Sequence, residues 1–279
     1  MRTIGLALLL IGCGAPSRDV TPDGQPGTDS GSGSSDDGCS GAAKQVYVID
    51  ADNTFSTFDP VTRTFAPLGT LSCPSSASPY SMGIDRNATA WVLFDDGAVF
   101  HVDTTTLACT HATSLSGNLQ NFGMGFSTTM ANGTTDQLFI AGGTIAAGAD
   151  RTSNSTLATF DTTTLQITNV GTISGWPELT GTSEAQLWGY FPGDGTTHIS
   201  QLDKTNGHVL QTLPEHTIGS SGDAYAFAAY GGEFWVFSGP AGGTSVYEIN
   251  TSGAIMTTTH TTKTIVGAGV STCAPVVIQ

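Results

Sequence analysis

The chain has 279 residues and carries only 8 Lys or Arg against 23 Asp or Glu, a formal net charge of −15. That balance excludes a nucleic-acid partner, because affinity for a polyanion rests on phosphate neutralisation by basic side chains and no basic cluster is present; the acidity itself reads as a solubility device. Abundant Gly, Thr and Val, with no stretch of sustained 3.6-residue amphipathicity, exclude a helical protein and point to an all-β one.

The chain opens with a short basic start, Met1-Arg2-Thr3, and an apolar run from Ile4 to Ile11. The run is too short to span a bilayer and reads as the core of a secretion signal. Leu10-Ile11-Gly12-Cys13 follows directly and resembles the bacterial lipobox. In such leaders the Cys thiol is acylated and the chain is cut before it. The resemblance implies a signal peptide over 1–12, lipid attachment at Cys13 and a stable multi-chain anchor in the bacterial envelope, at the outer membrane rather than the inner. Residues 14–43 are rich in Gly, Ser, Asp and Pro. Such a composition buries no core and predicts, with Cys13, a flexible tether over 13–43 that holds the body on the order of 30 Å from the lipid.

Beyond residue 43 one turn recurs five times: Phe58-Asp59-Pro60-Val61-Thr62, Val102-Asp103-Thr104-Thr105-Thr106, Phe160-Asp161-Thr162-Thr163-Thr164, Leu202-Asp203-Lys204-Thr205-Asn206-Gly207 and Ile249-Asn250-Thr251-Ser252-Gly253. An Asp or Asn at a strand end accepts a hydrogen bond from the backbone two residues on, and a Gly supplies positive φ, so each cluster is a hairpin turn. The Asp and Asn positions lie 44, 58, 42 and 47 residues apart, the length of a propeller blade. The turn joins strands c and d of a four-stranded unit. Strand a is predicted at 80–85, 122–127, 178–182, 224–230 and 265–271, and strand b at 45–50, 90–94, 137–141, 186–191 and 234–238. The third unit is the longest because its b–c connection, 142–155, is expanded.

The first unit begins at strand b, with Gln45-Val46-Tyr47-Val48-Ile49-Asp50, and the last is followed by an extra a-like strand, Thr264 to Ser271. The expectation over 44–279 is therefore a five-bladed β-propeller in which the C-terminal strand completes the first blade and leaves few free edges. Pro275 to Gln279, which could make a sixth b strand, is assigned to a tail.

If Cys13 carries lipid, four cysteines remain, and an exported location permits disulfides. Three pairings are open to them. The ring places Cys273 just after the closing strand and Cys39 just before the first b strand, where other blades have continuous chain, so Cys39–Cys273 is expected to clasp the ring. Cys73 and Cys109 then pair between adjacent blades. Loop entropy assigns ~5 kcal/mol to the long loop and ~4 to the short one.

Chemistry is harder to find. The chain has no nucleophile elbow, zinc-protease helix or Walker glycine loop. It also lacks a Cys-x-x-Cys pair, so neither a metal nor a cofactor is assigned. Asp50-Ala51-Asp52-Asn53 starts like a calcium loop but lacks the central Gly and distal Glu, and reads as a b–c turn. The scattered histidines read as surface or turn residues, and Trp91, Trp188 and Trp235, at equivalent b-strand positions, as packing between blades. Among carboxylates near the a strands, Asp85 closes its strand, whereas Glu178 and Asp223 open theirs and share a rim. That rim, where the d–a and b–c loops gather, also holds Tyr80, Asn121, Trp176 and Tyr225, and is the candidate place for a ligand.

Two further resemblances rest on these residues. The units, as in Ser81-Met82-Gly83-Ile84-Asp85 through Trp91-Val92-Leu93-Phe94 to Val102-Asp103, look like blades of the streptogramin-lyase-like secreted propellers. Those lyases use a His and carboxylates on one rim with a metal, a set not matched here. The whole chain, from lipobox through linker to Thr264-Ile265-Val266-Gly267-Ala268-Gly269-Val270-Ser271-Thr272-Cys273 and including Gly175-Trp176-Pro177-Glu178-Leu179-Thr180-Gly181, resembles propeller lipoproteins of soil and predatory deltaproteobacteria, a resemblance that brings no activity with it. The expectation is a monomeric, membrane-anchored propeller serving as a binding or scaffold module for a glycan or protein. The alternatives are a hydrolase or lyase on a polysaccharide or lactone-type substrate using rim carboxylates, and a structural component of an envelope complex.

Overall fold

In a computed structural model the chain is described over 38–144, 152–193, 196–218 and 223–277. The leader, Cys13, the tether up to residue 37, the centre of the expanded b–c connection and the last two residues lie outside these ranges.

The first blade holds β1 (Val46–Asp50), β2 (Thr54–Asp59) and β3 (Thr64–Thr70). The second is β4 (Pro79–Ile84), β5 (Thr89–Phe94), β6 (Ala98–Asp103) and β7 (Cys109–Ser114). The third is β8 (Asn121–Thr128), β9 (Asp136–Gly143), β10 (Asn154–Phe160) and β11 (Ile167–Ser174). The fourth is β12 (Glu178–Gly181), β13 (Leu187–Phe191), β14 (His198–Leu202) and β15 (Val209–Thr212). The fifth is β16 (Ala224–Tyr230), β17 (Glu233–Gly239), β18 (Thr244–Ile249) and β19 (Ile255–Thr261). The final strand, β20 (Ile265–Gly269), pairs antiparallel with β1, Val48 opposite Ala268, and makes the first sheet β20-β1-β2-β3. The result is a five-bladed β-propeller of four-stranded antiparallel sheets, closed by its C-terminal strand as expected.

The recurrent turn has the predicted mechanism. The Asp103 carboxylate accepts from the Thr105 and Thr106 amides, both at 2.8 Å, and the Asp161 carboxylate from the Thr163 and Thr164 amides at the same distance. The Asn250 amide oxygen accepts from the Ser252 amide at 3.0 Å and the Ala254 amide at 2.9 Å. The turn also needs left-handed backbone. Gly207 and Gly253 supply it in blades four and five, but Arg63, Leu107 and Leu165 adopt φ of 56°, 60° and 61° in the first three. In blades two, four and five the turn packs against the outer edge of the preceding blade. The Leu107 side chain occupies the space a Cβ at Gly69 would need, the Asn206 carbonyl fills that at Gly171, and Gly253 abuts Pro214. The turn of the first blade makes a polar contact with the fifth, Arg63 donating to Glu248 of β18 at 3.1 Å.

The core lies between blades. Trp91 meets Phe160 of the third blade at 5.9 Å between ring centroids, Trp188 meets Phe234 of the fifth at 4.8 Å, and Trp235 meets Phe58 of the first at 5.2 Å. All three indoles are buried, as their repeated b-strand position suggested. Five blades leave a narrow axis, so the inner strands must come close. A Cβ at Gly123 of β8 would lie 2.2 Å from the Pro177 carbonyl oxygen and 2.7 Å from the Glu178 Cα, a contact only glycine permits.

Both expected disulfides are present, Cys39–Cys273 with Cα atoms 5.8 Å apart and Cys73–Cys109 with 5.1 Å. The clasp draws in residues whose composition had placed them with the tether. Ala42–Lys44 forms a short 3-10 turn, and Ala43 packs with Ala88 and Cys273. The Ser271 hydroxyl donates to the Ala43 carbonyl at 2.6 Å. Nearby, Thr272 donates to the Asp136 carboxylate at 2.8 Å and accepts from Arg86 at 2.9 Å. Burial pushes the Asp136 carboxyl up, against the hydrogen bond from Thr272 and the charge of Arg86. Pro275 to Val277 form no strand, and the Pro275 carbonyl accepts from the Gly231 amide at 2.7 Å.

Candidate functional site

The inner strands β4, β12 and β16 all begin at one end of the axis. There a cavity of about 300 Å³ is lined by Tyr80, Asp95, Glu178, Asp223 and Tyr225, with Ser78, Pro79 and Val266 among the apolar and small residues around them. Four of the six rim residues picked from the sequence, drawn from blades two, four and five, thus meet on one cavity. Tyr80 reaches it through a register shift in the β4–β5 pairing between Pro79 and Ser81, an irregularity of the kind that re-aims a side chain.

Glu178 opens β12 and is buried, with an exposure of 3%. Its Oε2 accepts from the Ser81 hydroxyl at 2.9 Å, and the Ser81 oxygen accepts from the Met124 amide at 3.2 Å. This relay joins the inner strands of blades two, three and four and fixes the carboxylate at the mouth. Tyr225 donates to the Trp176 carbonyl at 3.2 Å and meets the Tyr190 ring edge-on at 6.0 Å. Tyr190 lies beneath, donating to the Ile218 carbonyl at 3.1 Å, and burial pushes its phenol up to about 12.

Asn121 and Trp176 sit differently. Both are buried and neither lines the cavity. The Trp176 indole donates to the Ser153 hydroxyl at 3.2 Å, and its ring closes against Gly143. It shapes the d–a connection from within and presents no open aromatic face. Asp85, set apart from the other acids on position, accepts from the Asn87 and Thr89 amides at 2.9 and 2.8 Å and is a turn residue. Of the histidines, His198 stacks on Phe191 at 4.8 Å with its pKa lowered by burial, and His260 bonds Ser245 at 3.0 Å.

Asp95 and Ser81 are the functional candidates that sequence reasoning passed over. Asp95 belongs to the run Asp95-Asp96-Gly97, which reads as a tight hairpin turn, and b–c turns lie on the same rim. Ser81 carried one signal, a hydroxyl at a position fully buried in an inner strand. Among the described residues no three His, Cys, Asp or Glu side chains come together in a way that could hold a metal ion. A carboxylate oxygen can accept hydrogen bonds from hydroxyl or ammonium donors.

No family model matches the chain, and no curated protein sequence matches it. Solved structures do resemble it. TolB from Acinetobacter baumannii is 15% identical with a TM-score of 0.47, over 76% of this chain and 51% of that one, so the chain spans about half the length of TolB. The calcium-binding protein regucalcin from Agrobacterium tumefaciens is 12% identical with a TM-score of 0.43, over 79% and 71% of the two chains. A Bacteroides caccae protein of unknown function is 9% identical with a TM-score of 0.45, over 81% and 97%. At these identities and scores none of them informs the chemistry of the mouth, and the assignment as a five-bladed propeller stands on the strand pairings themselves.

Proposed function

We propose that the protein is an exported, lipid-anchored propeller that binds a small hydroxyl-rich ligand, such as the end of a glycan, at the axial mouth. The observation that carries the reading is the convergence of Tyr80, Asp95, Glu178, Asp223 and Tyr225 on one cavity. Carboxylates accept hydrogen bonds from sugar hydroxyls, and tyrosines add apolar faces with polar tips. Glycan profiling of the purified protein tests it. Glu178→Gln and Asp223→Asn should each weaken a bound glycan by about tenfold, as expected for a lost charge-assisted hydrogen bond of ~1.5 kcal/mol or more. Unchanged binding in both variants would remove the mouth as the site.

A second reading, hydrolysis of a polysaccharide or lactone, has one observation in its favour: Glu178 and Asp223 border the same cavity, and paired carboxylates are what acid–base hydrolysis needs. Turnover of a bound glycan that disappears in Glu178→Gln while binding survives would establish it. The envelope address is supported by the leader pattern and by two disulfides, which persist in oxidising compartments. Labelling cells with an alkyne fatty acid should mark the protein, and Cys13→Ser should abolish the mark and release the protein from membranes.

A further inference from the structure

A second cavity, of about 370 Å³, lies at the other ends of the inner strands, between the β12–β13 and β16–β17 turns. Trp188, Ala229 and Phe234 make one wall, and the chain after β20 makes another with Pro275 and Val276. That second wall is pinned from two sides, by the Cys39–Cys273 bond and by the Gly231 amide donating to the Pro275 carbonyl at 2.7 Å. The Trp188 ring is itself fixed, its indole donating to Gln186 at 2.9 Å.

The charges in this apolar cavity are of one sign. Glu184 and Glu233 line it, and no Lys or Arg among the described residues does. Glu233, the first residue of β17, has its Oε2 buried with no hydrogen-bond partner among the described residues. Burial first, and then the charge of Glu248, push its carboxyl above the usual range. Glu248 has its own cation, Arg63 at 3.1 Å, and among the described residues Glu233 has none. A carboxylate partly removed from water without a cation is destabilised, and a ligand that brings a cationic donor to its accessible oxygen offsets that cost.

We propose that this cavity binds a small organic ammonium ion, its apolar body against Trp188 and Phe234 and its nitrogen at the Glu233 carboxylate. The cavity has the size, and a surface more apolar than polar, that small-molecule sites share. The indole and phenyl rings add cation–π attraction for a charged nitrogen. The site is separate from the axial mouth and does not depend on the reading given for it.

Calorimetric titration of the whole protein tests the proposal with three probes: phenethylammonium, isopentylammonium and cyclohexylmethylammonium, each beside the alcohol of the same skeleton. At least one ammonium should bind ten times or more tightly than its alcohol. Glu233→Gln should weaken that ammonium about tenfold to hundredfold and leave the alcohol unchanged. Asp52→Asn, which removes one exposed charge elsewhere, should alter neither. Equal affinity of ammonium and alcohol, no binding by any ammonium, or an ammonium affinity unchanged in Glu233→Gln would each overturn the proposal. If Glu233→Gln does not fold, the ammonium-to-alcohol ratio on the native protein decides alone.

Discussion

The five turn residues show how one side-chain chemistry can be repeated while its setting varies. Asn250 does with an amide what Asp59, Asp103, Asp161 and Asp203 do with a carboxylate. Asn250→Ala removes the acceptor and should cost about 1 kcal/mol, the usual value of a backbone-capping side chain, whereas Asn250→Asp should be near neutral in a chemical denaturation curve. The carboxylate turns add a pH dependence. Hydrogen bonds from the backbone of Thr106 and Thr105 lower the pKa of Asp103, those from Thr164 and Thr163 lower that of Asp161, and the hydroxyl and amide of Thr205 lower that of Asp203. A group whose folded pKa is depressed contributes its full stability above the unfolded value, about 3.9, and loses it as pH falls through the lower folded value. Stability should therefore decline below about pH 4, and the triple variant Asp103→Asn, Asp161→Asn, Asp203→Asn should show a shallower acid limb in thermal melts.

Among the elements, the inner strands carry the tightest constraint. Gly123→Ala would drive a methyl into the Pro177 carbonyl and push β8 from β12. A loss of about 1–3 kcal/mol is expected from such overpacking, and because Glu178 begins β12 the same change should disturb the mouth. Urea unfolding together with glycan affinity would read both effects. The blade plan was legible in the sequence because its signals are local or repeat: an Asp two residues before the amide it accepts from, a Trp recurring in each of three b strands, a strand missing at one end and present at the other. The mouth was half legible. Tyr80, Glu178, Asp223 and Tyr225 sit where inner strands begin, and that position can be counted from the repeat, whereas Asp95 comes from a b–c turn. The Ser81–Glu178 bond spans 97 positions and exists only because the inner strands converge. Trp176 looked like a rim aromatic since composition shows where a residue falls along the chain but not that Gly143 leaves room for its ring to turn inward. The packing of Ala43 on Cys273 was hidden for a similar reason: a Gly- and Ser-rich segment is held by one covalent bond, not by its composition.

The propeller body is a ring closed by one strand pairing and one covalent clasp. The Cys39–Cys273 bond closes a separation of 234 residues and Cys73–Cys109 one of 36. Replacing the first pair by Ser should therefore lower stability more than replacing the second, about 5 against about 4 kcal/mol at the upper limit of the loop-entropy model. Denaturation midpoints of the two double variants would test the order, and equal losses would show that the long loop adds nothing. The turns that sit on the preceding blade carry a last consequence. Leu107 fits because residue 69 is glycine, the Asn206 carbonyl because residue 171 is, and Arg63 finds its carboxylate only on the fifth blade. Each of these junctions is a lock cut for one key. Although the blades share a plan, they are not interchangeable parts, and their sequence around the ring is written into the perimeter. Duplicating, deleting or transposing a blade would bring mismatched surfaces together even with every strand intact.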